Sequence, residues 1–368
     1  MEVYIRLGSI FMSMLFLSGE EERRWVDLAR RAFDGDLSLP IPRDTVRPNL
    51  QAAFHFYIGT LHLTRGEEAL GAEWLEAGTL IEEDGLFMSA FLLGFLGRHG
   101  GQFAAPARAF EDPRHFIHFA GVPIMQGARE RFICQAAHTL PVFREDLHIM
   151  DIGCGNGDLT VRLLSHLQET GKAAGIGEVL LIDPSPAMLL LAERMVDKAF
   201  PDATVTPLLG DFQQVSGTIE HRYDVAMSSL AYHHMPCEEK ARHLMTLEPL
   251  IDHFLLFELN ANNDTPEVGS PALSLSVYQS YGRIIDFVLS HDAPFDVAAG
   301  CVDCFLMTEL ISLMTEPRTI RTEYHMLRNQ WNDLFRDALG PGFTRLCDSA
   351  CYADEYVELF TIHYGRAK

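Results

Sequence analysis

The chain predicts an α/β fold built on a mostly parallel sheet. Two observations carry this. From residue 147 onward, short apolar runs alternate with helical periods, the pattern of a parallel sheet with crossover helices. One of the strand-to-helix junctions, "HIMDIGCGNGDL" (148–159), holds three glycines at alternate positions directly after an apolar run that ends in an acid. A glycine-rich turn between strand and helix is where a nucleotide-type ligand meets backbone N–H groups and a helix N-terminus.

The elements follow in order. Strands are expected near 147–152, 178–183, 204–209, 223–228 and 252–258, with helices near 157–169, 185–198 and 237–249 between them. Two closing strands are expected near 342–347 and 356–363. Upstream, "EEERRWVDLARRAF" (20–33) reads as an amphipathic helix. Residues 50–99 carry a helical period in which Tyr57, Gly59, Gly66, Ala69, Trp74 and Ala77 resemble one helix-turn-helix unit of the tetratricopeptide type. A single unit does not make an array, so this region is read as a helical cap. Residues 112–141 predict one or two further helices, and 260–322 a long helical insertion after the fifth strand, at the sheet edge where ligands bind. The expected division is a cap over 1–110, a substrate-cover segment over 111–145, a core over 146–260 and 325–368, and a lid over 261–324.

Composition narrows the function. Of 368 residues 48% are hydrophobic, and 51 acids against 29 Lys plus Arg give a formal net charge of -22. Such a surface repels phosphate backbones, so no nucleic-acid partner is expected. The apolar stretch 7–17 lacks a basic flank and a cleavage site and is too short to span a bilayer. It reads as a packing helix, and no membrane association is expected. Seven scattered cysteines suggest no disulfide framework and fit a cytoplasmic protein. Cys301-Val-Asp-Cys304 has metal-ligand spacing but no second ligand pair, so it reads as two thiols.

Three further features sharpen the glycine turn. Asp183 ends the second strand in "VLLIDPSPAML", where a carboxylate can bind ribose hydroxyls. Asp211 and Phe212 follow the third strand in "LLGDFQQV", an acid and a ring suited to adenine. The fourth strand leads into "SSLAYHHMP". Together "DIGCGNGDLT", "IDPSPAML", "GDFQ" and "LAYHHMP" resemble, in order, the motifs of class I S-adenosylmethionine-dependent methyltransferases, over about residues 145–260 plus the closing strands. The resemblance implies a Rossmann-like seven-stranded sheet, S-adenosyl-L-methionine as cofactor and a small organic molecule as methyl acceptor. It implies that Asp151, Gly153, Cys154, Gly155 and Gly157 line the amino-acid half of the cofactor. Asp183 and Pro184 would meet the ribose, Asp211 and Phe212 the adenine, and Ser229 and Leu230 the region near the sulfonium. A homodimer is compatible with this picture. The spacing from Asp151 to Asp183 is long for the family, because "ETGKAAGIGE" extends the loop.

The acceptor side is less constrained. Tyr232, His233 and His234 follow the fourth strand and are the catalytic candidates; adjacent histidines point different ways, so one of them at most would act as base. His115, Arg129, Glu258 and Tyr281 are the candidate acceptor contacts. No metal is assigned. His233 and His234 with His291, Glu258 or His325 could form a facial ligand set, as in a few relatives that methylate 2-oxo acids at carbon, but the third ligand stays open. O, N and C acceptors all stay open. The alternative function is a cofactor-binding interaction protein that uses its helical N-terminal region.

Overall fold

The computed structural model describes residues 14–82, 85–106 and 112–367. The expected helix at 7–17 lies mostly outside them, and residues 14–18 are not helical.

Seven strands form one sheet in the order β3-β2-β1-β4-β5-β7-β6. They are β1 (Leu147–Ile152), β2 (Ile176–Asp183), β3 (Thr204–Leu209), β4 (Tyr223–Ser229), β5 (Ile251–Leu259), β6 (Phe343–Ala353) and β7 (Glu358–Arg366). The first five run parallel, β7 is antiparallel to β5, and β6 to β7. Chain order reverses between β1 and β4, which opens a crevice beyond their C-terminal ends. Alternation along the strands makes two cores. Met150, Ile152, Leu180, Ile182, Phe254 and Leu256 fill one with Trp331 and Phe335, while Ile149, Val179, Leu181, Val225, Met227 and Phe257 fill the other.

The N-terminal helices are α1 (Gly19–Phe33), α2 (Gln51–Thr64), α3 (Glu68–Thr79) and α4 (Met88–Arg98), followed by α5 (Pro113–Gly121) and α6 (Pro123–Thr139). α1 starts at a capping box: Glu21 N–H donates to Ser18 Oγ at 3.2 Å, and Ser18 N–H to Glu21 Oε2 at 2.8 Å. The repeat-like unit is the α2–α3 hairpin, whose helices approach so closely that a Cβ on Gly71 would lie 2.7 Å from Leu63. The outer face of α2 is covered by this same chain, while Glu68, Leu70, Glu73 and Glu76 of α3 face solvent. Trp25 packs on Phe54 and Tyr57 at 5.2 and 5.6 Å, and Phe56 meets Tyr278 at 5.6 Å.

The sheet helices are α7 (Asp158–Glu169), α8 (Pro186–Ala199), α9 (Phe212–Val215) and α10 (Cys237–Leu247). The insertion supplies α11 (Pro271–Ser290), α12 (Phe295–Cys301) and α13 (Met307–Thr315), and α14 (Arg328–Leu339) precedes β6. α11 belongs to the insertion expected from sequence to lid the site, and it packs against α2, α4 and α13. Fifteen of its residues, Tyr278 and Tyr281 included, are buried, because it is the strut between cap and core. The continuous helix 295–315 is long and apolar enough to cross a membrane, but 72% of its most apolar window is buried inside this fold.

Candidate functional site

The glycine turn sits at the mouth of the β1–β4 crevice. Gly153, Gly155 and Gly157 have φ of 74°, 54° and 78°, the left-handed region that side chains resist. Their missing Cβ atoms serve packing. A Cβ on Gly153 would come 2.2 Å from Ala231 Cβ, one on Gly155 2.9 Å from the Phe116 ring, and one on Gly157 2.9 Å from Ala192 Cα in α8. The near neighbour of Gly157 is thus not its own strand but the next helix, α8. Cys154 is buried inside the turn.

Three charged side chains stand under the turn. Asp183 ties it to β2: Oδ2 accepts from Gly155 N–H and Oδ1 from Ser185 N–H, both at 2.9 Å. Asp151 accepts from the Thr160 hydroxyl on one oxygen, while its buried Oδ1 has no partner. Burial pushes its carboxyl up to about 7 despite that hydrogen bond. Arg129, expected on the acceptor side, is buried beside the turn, within electrostatic reach of Asp158 and Asp151. Burial pulls it down to about 10, and its Nε is unpartnered. It stands with the acids of the glycine turn. The residues fit an amino-acid zwitterion: an anion with a free oxygen, a cation with a free N–H, and a turn of backbone amides.

Asp211 is exposed at the N-terminus of α9, open to a ligand, and Pro184 is exposed beside Asp183. Phe212 corrects the expectation. Its ring is 5% exposed and turned into the core against His243 and Tyr232 at 5.2 and 6.1 Å, so it offers no open face to an adenine. Ser229 Oγ is buried and unpartnered at the crevice, and Leu230 adopts φ 50°, a strained conformation for leucine. That kink turns the chain into the histidines.

His233 and His234 converge rather than diverge. Their rings lie 4.3 Å apart, and both approach Glu323: His234 Nδ1 is 2.9 Å from Oε1 and His233 Nε2 3.3 Å from Oε2. On its other side His233 Nδ1–H donates to Glu258 at 2.9 Å, and Glu258 also accepts the backbone N–H of His233 and of Leu259. The His325 ring lies against that of His233, centroids 3.9 Å apart and tilted by 32°. Behind Glu323, Tyr281 donates to Glu309 at 3.1 Å. Burial pushes His233 well below its ordinary range and Glu258 up. For His234 burial works the same way, but the Glu323 carboxylate, with Glu309 behind it, outweighs it and pushes the imidazole up to about 10.

The cluster is held from outside. Tyr324 N–H donates to His233 O at 2.8 Å, and Asn263 and Asp264 N–H both donate to His325 O at 2.9 Å. Lys240, fully buried, donates to Tyr324 O at 2.5 Å and lies 4.7 Å from the Trp331 ring.

The other predicted contacts lie apart from the cluster. Tyr232 is wholly buried among Phe212, Phe254 and Trp331, with its hydroxyl unpartnered. It packs the core and does not face an acceptor. His115 is wedged between α5 and α12, where a Cβ on Gly300 would meet its Nε2 at 2.1 Å. His291 stacks on His118 at 5.2 Å, away from the histidine pair. Cys301 is buried and Cys304 partly so, and neither joins a ligand group among the described residues. Sequence reading missed Glu323, Glu309 and Lys240. The one signal was the short run "RTEYHM" (321–326), with an acid and a histidine two apart.

Comparison with known proteins agrees with this geometry. Residues 149–249 match a family model described as a methyltransferase domain. Among solved structures, SCL7 from Oryza sativa aligns over 94% of this chain and 100% of its own, at 14% identity and a TM-score of 0.59. That likeness shows that the helical cap and the sheet together form a known fold. Magnesium protoporphyrin IX methyltransferase from Synechocystis, solved with bound SAM, aligns over 66% of this chain and 82% of its own at 16% identity, with a TM-score of 0.37. The cyclopropane synthase MmaA2 from Mycobacterium tuberculosis aligns over 64% and 82% at 11% identity, with a TM-score of 0.40. Comparison with curated proteins finds no match. The match covers β1 to β4 and the glycine turn, the segment whose motifs resemble the class I methyltransferases.

Proposed function

We propose that this protein transfers the methyl group of S-adenosylmethionine to a small polar organic acceptor. The observation that carries the reading is the left-handed glycine turn standing over Asp151, Arg129 and Asp183, within the segment that matches a methyltransferase domain. The cofactor carries an amino group, a carboxylate and a ribose. Asp151 Oδ1 is the free acceptor for the ammonium, and Arg129 the free donor for the carboxylate. Asp183 keeps a second lone pair on each oxygen for the ribose hydroxyls.

Methyl transfer is an in-line displacement. A lone pair on the acceptor attacks the methyl carbon opposite sulfur, the carbon–sulfur bond breaks, and the sulfonium leaves as a neutral sulfide. The chain's task is to align the two molecules, exclude water and accept a proton where the acceptor carries one. His234, Glu323 and His233 supply the polar end of that arrangement. Glu323 Oε2, buried without a hydrogen bond, is the lone pair open to that proton. Glu258 holds the His233 ring in one tautomer.

The interaction-protein alternative has weak support, because α2 of the repeat-like hairpin is buried within its own chain and α3 offers mainly acidic residues to solvent. Seven unpaired cysteines support a reducing compartment. The test is to titrate S-adenosylmethionine calorimetrically, then screen small acceptors for formation of S-adenosylhomocysteine. Binding that falls about 10- to 100-fold in Asp183→Ala is expected from the loss of charge-assisted hydrogen bonds. No cofactor binding by the wild type would overturn the reading.

A further inference from the structure

Glu323 and His233 meet in a way that their own chemistry does not explain. His233 donates its Nδ1–H to the Glu258 carboxylate, so a neutral ring presents a lone pair at Nε2. That lone pair faces Glu323 Oε2 at 3.3 Å, and the carboxylate oxygen has no hydrogen-bond donor of its own. Glu323 is fully buried. In this tautomer two acceptors face each other in a dry site, and a cation between them would satisfy both; His233, His234 and Glu323 bring their donor atoms within 4.8 Å of one another. His234 Nδ1 completes the concavity at 2.9 Å from the other oxygen of the same carboxylate.

We infer that His233 Nε2, His234 Nδ1 and Glu323 form the protein ligands of a first-row divalent transition-metal site with open positions toward the crevice. The donor separations suit it. Metal–ligand bonds of about 2.1 Å set neighbouring donors roughly 3.0 Å apart at right angles and roughly 3.4 Å at tetrahedral angles, against the 2.9 and 3.3 Å found here. Two imidazoles and a carboxylate suit zinc, iron or cobalt better than magnesium or calcium. Glu258 holds the second nitrogen of His233, the carboxylate–histidine support that ligating histidines commonly have. Half of the access is already open, since the His234 side chain is 46% exposed while Glu323 and His233 lie behind it. A metal there would take an oxygen donor of the acceptor in its open position and lower the pKa of that oxygen. This inference rests on the reading of the acceptor end in the previous subsection and changes the role of Glu323 there from proton acceptor to ligand, and the ion itself is measurable without cofactor or acceptor.

A second set shares His233. His325 Nδ1 lies 3.8 Å from Glu258 Oε2, and His233, Glu258 and His325 are all buried. It is the weaker choice, because Glu258 already accepts three N–H groups and no face of that set is exposed.

The experiment uses the untagged full chain, stripped with a chelator and titrated with Co2+ by calorimetry and by its visible absorption. The wild type is expected to bind one equivalent and develop the ligand-field bands of a nitrogen–oxygen site. His234→Ala and Glu323→Gln should each weaken binding by at least about 100-fold, and Glu258→Gln by about 10- to 100-fold. His325→Ala should stay within about threefold of wild type. His234 is partly exposed, so its variant should fold as the wild type does, checked by the melting curve. A wild type that takes up no Co2+ overturns the inference. So does loss of binding in His325→Ala with retention in His234→Ala, which would move the ion to the buried set.

Discussion

The glycine turn and the histidine–glutamate cluster open onto the same crevice, yet they are built in opposite ways. The turn is contiguous: residues 151–157 fold against their own strand and helix, with Asp183 as a distant clasp. The cluster is assembled from residues 233–234, 258, 309 and 323–325, brought from the ends of two strands, a helix of the insertion and the linker before α14. The first has a fixed backbone conformation and a free polar atom; the second has a fixed set of side chains and a free charge. Local geometry suits a cofactor that relatives share. A site drawn from several segments can change its acceptor by changing one segment.

The largest expected effect separates the two. Glu323→Gln should cut turnover by about 100-fold or more while leaving cofactor affinity within about twofold, as read from initial rates and calorimetry on one preparation. Equal losses in both would mean that the regions are not independent. Gly153→Val probes their point of contact. Its side chain would collide with Ala231, two residues before His233, and would force valine into a left-handed backbone. Cofactor affinity should fall roughly 100-fold, from a cost of about 2–4 kcal/mol, and turnover at saturating cofactor should fall as well. Full turnover at saturation would show that the turn moves without disturbing the histidines.

Below pH 7 the turn carries a pH effect of its own. Asp151 titrates at about 7 when folded and at about 4 when unfolded. The folded state therefore binds the proton more tightly. The stability this group contributes is full below pH 4 and is lost as pH rises to 7, on the order of 2–4 kcal/mol. Asp151→Asn should flatten that part of the profile, seen as urea midpoints at pH 5 and 8 that differ less than in the wild type. An unchanged difference would assign the slope elsewhere. The smallest effect is that of Tyr232→Phe. Removing a buried hydroxyl without a partner should raise stability by about 1 kcal/mol and leave the rate unchanged, whereas a catalytic phenol would lose most of it.

This contrast also decides what could be read in advance. The β-strands and their flanking helices were legible because apolar period and turn residues are local signals; β1 and β3 match the expected bounds to the residue. That Asp151, the three glycines and Asp183 meet at one strand-to-helix turn was legible for the same reason. Phe212 and Tyr232 misled, since an aromatic after a strand reads alike whether its ring turns out to a ligand or in to the core. Glu323 was invisible. Nothing near residue 323 in the chain says that it will face residues 233 and 234, about ninety positions away. The insertion was seen as helical, but its burial was not, because a run such as "PALSLSVYQSYGRIIDFVLS" shows helical period without saying how many sides are covered.

The backbone bonds that stitch residues 324 and 325 to residues 233, 263 and 264 carry a consequence for the order of events during synthesis. The five parallel strands are complete once residue 259 has left the ribosome, and the cofactor turn with them. The acceptor end must wait for another sixty-odd residues, and β5 keeps one hydrogen-bonding edge bare until β7 arrives still later. A nascent chain thus holds the glycine turn and its acids before it holds Glu323 and His325, which complete the second cluster.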